Sequence, residues 1–352
     1  MQRTSSHLAQ LAFDLNCHFS AEVRSSTFIR RAFARMGMKA SKPLLRRFGS
    51  SHTVVATVYN HKHIMPSEHH IVPIVRKYPH YNRPLGLTAL ALARSVSDGI
   101  SLTAIDIGAN IGETAALIEL WHPNVFSYLC IEPEPDLAEM CKANHDRNTR
   151  VHVLQAFMGE DEGAAVQLQD DGRANPSTVR TSDLTATDTQ RLVRLDTAAL
   201  PFAQEYGRLD LIKVDTEGYD FSVLRSGSRL LRDYQPALFF EWFPSAIKQV
   251  GEDMFSGFEF LQQSGYRYFV FFTNFGDYYC YRFDPELLFL RSLASITETQ
   301  SLVYFDVFAS TSEDIANILV ELSIEANGKT LADRTNLITG IEQGRMERAA
   351  QI

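Results

Sequence analysis

Acidic residues follow three apolar runs of the sequence, where they could serve a ligand or a reaction. Asp106 stands in IDIGANIGETA, in which an apolar run leads into a glycine-containing turn and then a helix. Glu132 follows the next apolar run, in CIEPEPD, 20 residues after Gly112. Asp215 and Glu217 follow a later run, in LIKVDTEG. Carboxylates in such places could accept hydrogen bonds from a bound ligand or remove a proton from a substrate.

These acids can act on the same ligand only if the fold brings them together, and the carboxyl edge of a parallel sheet would do so. Short apolar runs alternate with helix-length segments from residue 102 onward, which predicts an α/β fold with a mostly parallel, Rossmann-like sheet and helices on both faces. Ligands bind such sheets at the carboxyl ends of the strands, where all four acids would lie. The predicted strands are Thr103–Ile107, Ser127–Ile131, Val151–Ala156, Leu209–Val214 and Ala237–Trp242, and the predicted helices are Thr114–Leu120, Pro135–Asn144 and Phe221–Leu231.

Four segments of different composition follow one another along the chain. Residues 1–50 are a basic arm, with nine Lys or Arg against two acidic residues, for which we predict helix. Residues 51–100 are a lead-in segment with six of the eleven histidines, residues 101–310 the α/β domain, and residues 311–352 a helical tail. In the lead-in segment we predict a strand at 52–59, a loop at 60–84 and a helix at Leu85–Val96. In the α/β domain, antiparallel strands predicted at Tyr266–Thr273, Tyr278–Phe283 and Leu302–Ala309 complete the sheet.

The glycine turn after the first predicted core strand distinguishes between two classes of cofactor. The dinucleotide fingerprint GxGxxG, counted from Gly108, requires glycines where this sequence has Asn110 and Glu113. Without the middle glycine a pyrophosphate cannot approach the backbone, and Glu113 puts negative charge where phosphate would bind. S-adenosylmethionine (SAM) has no phosphate and carries positive charge, so a carboxylate such as Asp106 favours it. We therefore expect SAM rather than NAD, bound at Asp106, Gly108, Asn110 and Gly112.

Other residues of the sequence could contact the ribose and the adenine of an adenosyl group. An acid at the spacing of Glu132 accepts hydrogen bonds from both ribose hydroxyls. We predict Pro133 on one face of the adenine and Phe157 and Met158, from QAFMGEDEG, on the other. An acid such as Glu132 alone would indicate only a helix cap or a solvated strand end, whereas the ordered set favours a binding site.

Five segments together resemble one known family, the FkbM-type methyltransferases: IDIGANIGETA, CIEPEPD, AFMGEDEG, LDLIKVDTEGYDFSVLRSGSRLL and ALFFEW. The resemblance extends from about Tyr78 to Ala309, and LIKVDTEG, similar to the family's IKIDVEG block, is its most specific part. Thr216 there replaces the usual small apolar residue. The resemblance implies a SAM-dependent O-methyltransferase of the class I, Rossmann-like fold that acts on hydroxyls of sugars, glycans or polyketides. It does not cover the basic arm or the tail.

Asp215 and Glu217 are the candidate catalytic residues. Methyl transfer to a hydroxyl needs an aligned acceptor oxygen and a group that takes its proton. Either carboxylate could be that base, or Glu217 caps the next helix while Asp215 acts indirectly. A histidine of the 52–80 segment is a further candidate base, and Glu241 with the flat face of Trp242 could contact the acceptor. A divalent metal is not favoured, because no clear third ligand accompanies the carboxylates, and no metal site is predicted.

Charge and composition limit the partners of the chain. The net charge is −8 although the basic arm alone carries +7, so the remaining chain is strongly acidic and no nucleic-acid partner is expected. The arm could contact an anionic surface or a lipid-linked substrate, or it could resemble an organellar transit peptide, but a solvated helix packed on the body is the simpler interpretation. Scattered cysteines without a CxxC pair, and no apolar run near the roughly 20 residues of a membrane span, predict a cytoplasmic protein.

The leading hypothesis is methyl transfer from SAM to a hydroxyl of a sugar or glycan intermediate. One alternative is an O-methyltransferase for a polyketide or another small metabolite. Another is a non-catalytic protein that binds an adenosyl ligand. Retention of both acid sets, Asp106 with Glu132 and Asp215 with Glu217, favours an enzyme. The identity of the acceptor and the oligomeric state are not predicted by the sequence.

Overall fold

A computed structural model of the chain shows strands alternating with helices through its centre. It describes residues 4–5, 7–22, 52–97, 99–121, 126–169, 177–180, 190–299 and 304–326. The strands are β1 (Thr4–Ser5), β2 (His52–Val58), β3 (His61–Pro66), β4 (Leu102–Ile107), β5 (Phe126–Ile131), β6 (Val151–Leu154), β7 (Phe157–Met158), β8 (Ala165–Gln169), β9 (Ser177–Arg180), β10 (Gln190–Val193), β11 (Leu211–Val214), β12 (Ala237–Trp242), β13 (Tyr268–Thr273), β14 (Tyr278–Phe283) and β15 (Phe305–Ser310). The helices are α1 (His7–Glu22), α2 (Ile71–Lys77), α3 (Arg83–Ser95), α4 (Glu113–Trp121), α5 (Pro135–Asn144), α6 (Leu195–Tyr206), α7 (Asp220–Ser226), α8 (Ser228–Tyr234), α9 (Pro244–Gln249), α10 (Ser256–Gln263), α11 (Leu287–Thr299) and α12 (Glu313–Glu325).

An eight-stranded sheet has the order β14-β13-β15-β12-β11-β4-β5-β6. The strands from β12 to β6 in that order are parallel, and β15 runs antiparallel between β12 and β13. The chain moves outward from β4 through β5 and β6, and then returns to build β11 and β12 on the other side of β4. A crevice opens where the direction of winding reverses, at the carboxyl ends of β4 and β11. The predicted fold class, a mostly parallel sheet with antiparallel C-terminal strands, is confirmed.

Two hydrophobic clusters cover the two faces of this sheet. One includes Trp121, Phe126 and Tyr128 and lies under α3, α4, α5 and α12. The other includes Trp242 and Phe258 and lies under the helices from α6 to α11. Every residue of β4 and β5 is buried, because both faces of these strands are covered. This double covering explains why the central strands are continuous apolar runs in the sequence.

The observed bounds of the core elements are close to the predicted ones. Ala237–Trp242, Tyr278–Phe283 and Pro135–Asn144 have the predicted ends. The single helix predicted over Phe221–Leu231 is wrong, because two helices, α7 and α8, meet at Gly227. A Cβ on Gly227 would lie only 2.8 Å from Leu195 Cδ2, so close packing against α6 accompanies the break.

The loop predicted for residues 60–84 is wrong. β2 and β3 form an antiparallel hairpin, and α2 follows β3 after a short turn. Tyr59 and Asn60 connect the hairpin with positive φ angles of 50° and 63°, as a two-residue hairpin turn requires. The sequence does not indicate this hairpin, because β3 begins with His, Lys and His, the first two of which are exposed, and lacks the apolar run of a core strand.

Several features were absent from the prediction or fall outside the described residues. A second sheet, β7-β10-β8-β9, and the helices α6, α9, α10 and α11 were not predicted. Only Thr4–Ser5 and α1 of the predicted helical arm are described, so residues 23–51, and with them most of its basic charge, lie outside the described part. Within the described residues no helix is long and apolar enough to span a membrane. All four cysteines are free thiols.

Candidate active site

The crevice at β4 and β11 is a deep cleft, and most of the predicted site residues line it. The turn after β4 contributes Gly108 and Asn110 to its wall, and the segment after β5 contributes Glu132 and Pro133. Other parts of the wall come from β7, the segment after β11, the ends of β12 and β15, and the turn that leads into α2. One cleft therefore contains both predicted catalytic residues and six of the eight predicted cofactor residues, whereas Asp106 and Gly112 do not line it.

A buried ion pair forms the floor of the cleft. Lys213 Nζ lies 3.0 Å from Asp106 Oδ1 and 3.5 Å from Asp215 Oδ2, and it donates a 3.1 Å hydrogen bond to the Gly108 carbonyl oxygen. Burial alone lowers the pKa of Lys213, but the charges of Asp106 and Asp215 outweigh it and hold that pKa above its usual value. Asp106 is buried and does not line the cleft, whereas its partner Lys213 does, although the sequence suggested that Asp106 faces the ligand. It would act on a ligand through Lys213.

Two glycines shape the turn after β4. Gly108 has φ of +75°, and a Cβ there would collide with the Asp215 carbonyl oxygen, so the turns after β4 and β11 are in backbone contact. Gly112 has φ of +83°, and a Cβ there would lie 2.6 Å from His145 Nε2. The close approach that Gly112 permits is therefore to α5 and its C-terminal histidine, whereas the sequence suggested a close approach to the ligand.

The Glu132 carboxylate is fixed by backbone donors on both sides. Oε2 accepts a 2.8 Å hydrogen bond from the Asn110 N–H, and Oε1 accepts a 3.0 Å bond from the Glu134 N–H. Burial raises the pKa of Glu132 to about 7, although both bonds oppose that shift. Each carboxylate oxygen retains a lone pair for a further donor, so Glu132 can accept two hydroxyl hydrogen bonds from a ribose.

An apolar slot adjoins Glu132. Pro133 lies on one part of the cleft wall, while Phe157 and Met158 of β7 lie on another. Phe157 packs with Val166 and Leu192 of the second sheet, which the sequence analysis did not find. The three predicted adenine contacts are therefore brought into one cleft, and the small sheet supports two of them.

The cleft fits SAM better than a dinucleotide. Glu113 Oε2, in the first turn of α4, is buried and has no hydrogen-bond partner among the described residues. Burial raises the pKa of Glu113 to about 7. A positively charged ligand group would satisfy this carboxyl, whereas a phosphate would be repelled by it. The residues that could hold SAM are Glu132 at the ribose, Glu113 at a cationic group, and Pro133, Phe157 and Met158 at the adenine.

The segment after β11 carries the two predicted catalytic acids. Asp215 and Glu217 both line the cleft and are exposed; the Asp215 side chain is 48% exposed. Glu217 has a φ of +53° and precedes Gly218, at +99°. Asp220, which the sequence analysis missed, braces the segment: its Oδ2 accepts hydrogen bonds from Thr216 Oγ1 at 3.2 Å and from the Gly218 N–H at 3.3 Å.

A second acid pair lies at the far side of the cleft. Glu241 and Asp306 are direct partners across the antiparallel β12–β15 ladder, so their side chains share one face. Burial, followed by the charge of Asp215, raises the pKa of Asp306 to about 8 and that of Glu241 well above its usual value. Tyr81 and Tyr304 line the same region. An acid inside the otherwise apolar FDVFAS segment was the signal that could have identified Asp306.

Trp242 does not contact the cleft, contrary to expectation. Its side chain is fully buried on the opposite face of β12, in T-shaped contact with Phe258 at 5.0 Å. Its Nε1 donates to the Met254 carbonyl oxygen at 3.0 Å. The aromatic surface near Glu241 comes from Tyr81 and Tyr304 instead.

The lead-in histidines differ sharply in their surroundings. His61 is exposed, and His63 is buried outside the cleft with a pKa lowered by burial to about 4. His80 pairs with Asp277 at 2.8 Å. Only His69 and His70 of the described histidine side chains reach the cleft. The His52 side chain lies outside the described part of the structure, and no group of three metal-binding side chains occurs among the described residues.

Comparisons with known proteins give a match to one family model and similarity to solved structures. Residues 106–268 match the model of the methyltransferase FkbM domain. Curated protein sequences give no match. Three solved structures are similar to this chain: methyltransferase FkbM from Methylobacillus flagellatus (16% identity, TM-score 0.30, covering 68% of this chain and 50% of that one), an O-methyltransferase from Bacillus cereus in complex with SAH (10%, 0.38, 66% and 81%) and precorrin-6y C5,15-methyltransferase from Geobacter metallireducens (12%, 0.33, 64% and 87%).

The matched region extends from Asp106, at the floor of the cleft, to Tyr268, at the start of β13. It therefore contains the glycine turn, Glu132 and the segment with Asp215 and Glu217. Residues 106–268 are similar to the methyltransferase FkbM domain, and they build most of the parallel, Rossmann-like part of the sheet.

Proposed function

We propose that this chain transfers a methyl group from SAM to a hydroxyl of a sugar or glycan intermediate. The observation that carries the proposal is the placement of two acid sets in one cleft. Glu132 and Glu113 lie near the turn after β4, and Asp215, Glu217 and Glu241 lie beside them near the ends of β11 and β12. The first set suits the polar groups of the cofactor, and the second suits a hydroxyl that must lose a proton.

SAM, when bound, supplies an electrophilic methyl group, whose C–S bond breaks as the acceptor oxygen forms its new C–O bond. The chain must align the acceptor oxygen and accept the proton that it loses. Asp215 and Glu217 are exposed in the cleft and are the carboxylates available for that proton. Lys213, 3.5 Å from Asp215 Oδ2, positions Asp215 on the side of the cleft nearest the glycine turn.

The charge of the acceptor region supports an acceptor without phosphate. Its ionisable lining is acidic, with Asp215, Glu217, Glu241 and Asp306. Lys213 is the cation among the described lining residues, and it is already bound to Asp106, Asp215 and the Gly108 carbonyl oxygen. A phosphate or carboxylate on the acceptor would therefore find no unengaged cation among these lining residues. Tyr81 and Tyr304 offer aromatic surface and hydroxyls, which suits a neutral sugar.

The experiment combines binding and turnover. Calorimetry on the full chain is expected to show micromolar-range binding of SAM and none of NAD. Incubation with SAM and a panel of neutral methyl glycosides and hydroxylated polyketides, followed by mass spectrometry, is expected to show addition of one methyl group to a glycoside. A chelator control separates a carboxylate base from a metal ligand. Binding of NAD without SAM contradicts the cofactor assignment, and SAM binding with transfer only to polyketide hydroxyls contradicts the acceptor assignment.

A matched pair of variants links the measurement to the site. Glu132→Gln removes the charge at the ribose position and is expected to weaken SAM binding. Glu139→Gln changes an exposed glutamate of α5 that pairs with Lys142 on the helix surface. That control is expected to bind SAM like the unmodified chain.

A further inference from the structure

We infer that His69 is a positioning residue for the cofactor, which makes the lead-in segment part of the cofactor site. The inference rests on the proposed function, because it concerns binding of SAM. His69 lies in the short turn between β3 and α2. Its side chain contacts Asn110, which lies 41 residues further along the chain. It touches the turn after β4 from outside the region that matches the family model.

Both ring nitrogens of His69 are engaged. Nδ1 accepts a 3.2 Å hydrogen bond from the Ile71 N–H, so this nitrogen carries no proton. Nε2 then carries the proton and donates to Asn110 Oδ1 at 2.9 Å. The His69 N–H donates to the Pro66 carbonyl oxygen at 3.0 Å, which fixes the turn, and the side chain is buried. His69 is therefore not the general base, because both of its ring nitrogens are already hydrogen-bonded.

The contact holds Asn110 in an unfavourable backbone conformation. Asn110 has a φ of +52°, in the left-handed region that residues with a Cβ rarely adopt. In that conformation its N–H points at Glu132 Oε2, 2.8 Å away. A chain of two hydrogen bonds therefore runs from His69 through Asn110 to the Glu132 carboxylate proposed for the ribose. Loss of the first contact releases the donor that orients Glu132.

A second tie joins the lead-in segment to the same turn. Asn144 accepts a 2.7 Å hydrogen bond from the Ile64 N–H and donates to the Ile64 carbonyl oxygen at 3.0 Å. Its amide also donates to the Ile111 carbonyl oxygen at 3.0 Å. The β2–β3 hairpin is thus held against the turn after β4 at Ile111 as well as at Asn110, so removal of His69 leaves the hairpin anchored. A change at His69 consequently tests positioning rather than folding.

The test measures SAM affinity, melting temperature and turnover in His69→Ala, His69→Gln and the control His61→Ala. His61 is an exposed histidine of the same hairpin that lies outside the cleft. His69→Ala is expected to weaken SAM binding about tenfold, while kcat at saturating SAM and the melting temperature stay near those of the unmodified chain. His69→Gln keeps a donor toward Asn110 and is expected to recover part of the loss. The control is expected to change nothing.

A double-mutant cycle gives a decisive result even if one variant is unstable. Asn110→Gly adopts the left-handed conformation without a side-chain contact, so His69→Ala is expected to have no further effect on SAM binding in that background. Unchanged SAM affinity in His69→Ala, an equal loss in both backgrounds, or a fall in kcat with unchanged affinity would each overturn the inference. Failure of the unmodified chain to bind SAM would instead overturn the proposed function.

Discussion

Lys213 and Asp106 are register partners on the neighbouring parallel strands β11 and β4, and their side chains form a 3.0 Å ion pair in the centre of the sheet. Both side chains are buried. Since Lys213 also reaches the Gly108 carbonyl oxygen and Asp215, the pair connects the cofactor side of the cleft with the acceptor side. The two halves of the site therefore depend on one buried charge pair.

Lys213→Met is expected to destabilise the protein by about 3–5 kcal/mol, because it leaves the Asp106 carboxylate buried without its cation. The double change Lys213→Met with Asp106→Leu removes both charges and is expected to recover most of that loss. Urea unfolding near neutral pH measures both. Lys142→Met, at an exposed lysine, is the control and is expected to cost less than about 1 kcal/mol. A single change that costs no more than the control would show that the pair does not stabilise the sheet.

SAM affinity is expected to depend on pH through Glu132. Burial raises the pKa of Glu132 to about 7, and the ribose hydroxyls bind its charged form. SAM affinity should therefore rise with pH up to about 7, with at most a tenfold change per pH unit, and then level off. Glu132→Gln is expected to lose about 1–3 kcal/mol of binding free energy at high pH and to reduce the pH dependence to the part that Glu113, whose pKa is also about 7, contributes. An identical pH profile in the variant would assign the titration to another group.

The central strands and the glycine turn were predictable because local signals specify them. Every residue of β4 is apolar or buried, and the helix α5 begins with Pro135 after Glu134, whose side chain accepts a hydrogen bond from the Leu137 N–H. These features lie within a few residues of each other in the sequence. The order of the strands was not predicted, because local signals do not specify which strands become neighbours, and the general rules for parallel sheets only reduce the number of possible orders.

Contacts between distant segments were not predictable. Glu241 and Asp306 become partners only through the register of β12 with β15, and His69 meets Asn110 only after the hairpin packs on the turn. Trp242 shows a different kind of error. Successive residues of a strand point to opposite faces, so Glu241 in the cleft requires Trp242 in the core, and the alternation could have excluded the proposed sugar contact.

The cofactor-free protein is expected to lose stability as the pH rises from about 5 to about 8. Burial raises the folded-state pKa of Glu113 and Asp220 to about 7 and that of Asp306 to about 8, above the ordinary values of such carboxyls. The folded state therefore binds more protons than the unfolded state in this window, and stability present at low pH is lost as the pH rises through these pKa values. The slope is at most about 1.4 kcal/mol per pH unit for each group.

Urea unfolding of the cofactor-free chain at several pH values tests this trend. Asp306→Asn removes one titrating group and is expected to reduce the slope throughout the window from about pH 5 to about pH 8, because the pKa of this carboxyl rises from its ordinary value of 3.8 to about 8 on folding. Asp233→Asn changes an exposed aspartate of α8 and is expected to leave the slope unaltered. A stability that is constant or increases across the window would mean that these carboxyls are not neutral in the folded state.

Asp215→Asn and Glu217→Gln separate the acceptor chemistry from cofactor binding. Both side chains are exposed in the cleft, and each change keeps the shape while removing the charge. The variant that loses the general base is expected to fall in kcat by about a hundredfold or more, with SAM affinity nearly unchanged. Asp215→Asn also removes one partner of Lys213, so a small change in stability is expected for it alone.

The comparison requires a confirmed acceptor and saturating SAM, so that a loss of turnover reflects chemistry. Glu205→Gln, at an exposed glutamate on α6, is the control for the charge change. If both site variants bind SAM and turn over normally, neither carboxylate takes the acceptor proton. Of the lead-in histidines with described side chains, His70 would then be the next candidate, because it reaches the cleft and both ring nitrogens of its neighbour His69 are engaged. A loss of turnover in His70→Ala, with SAM affinity retained, would identify it as the base.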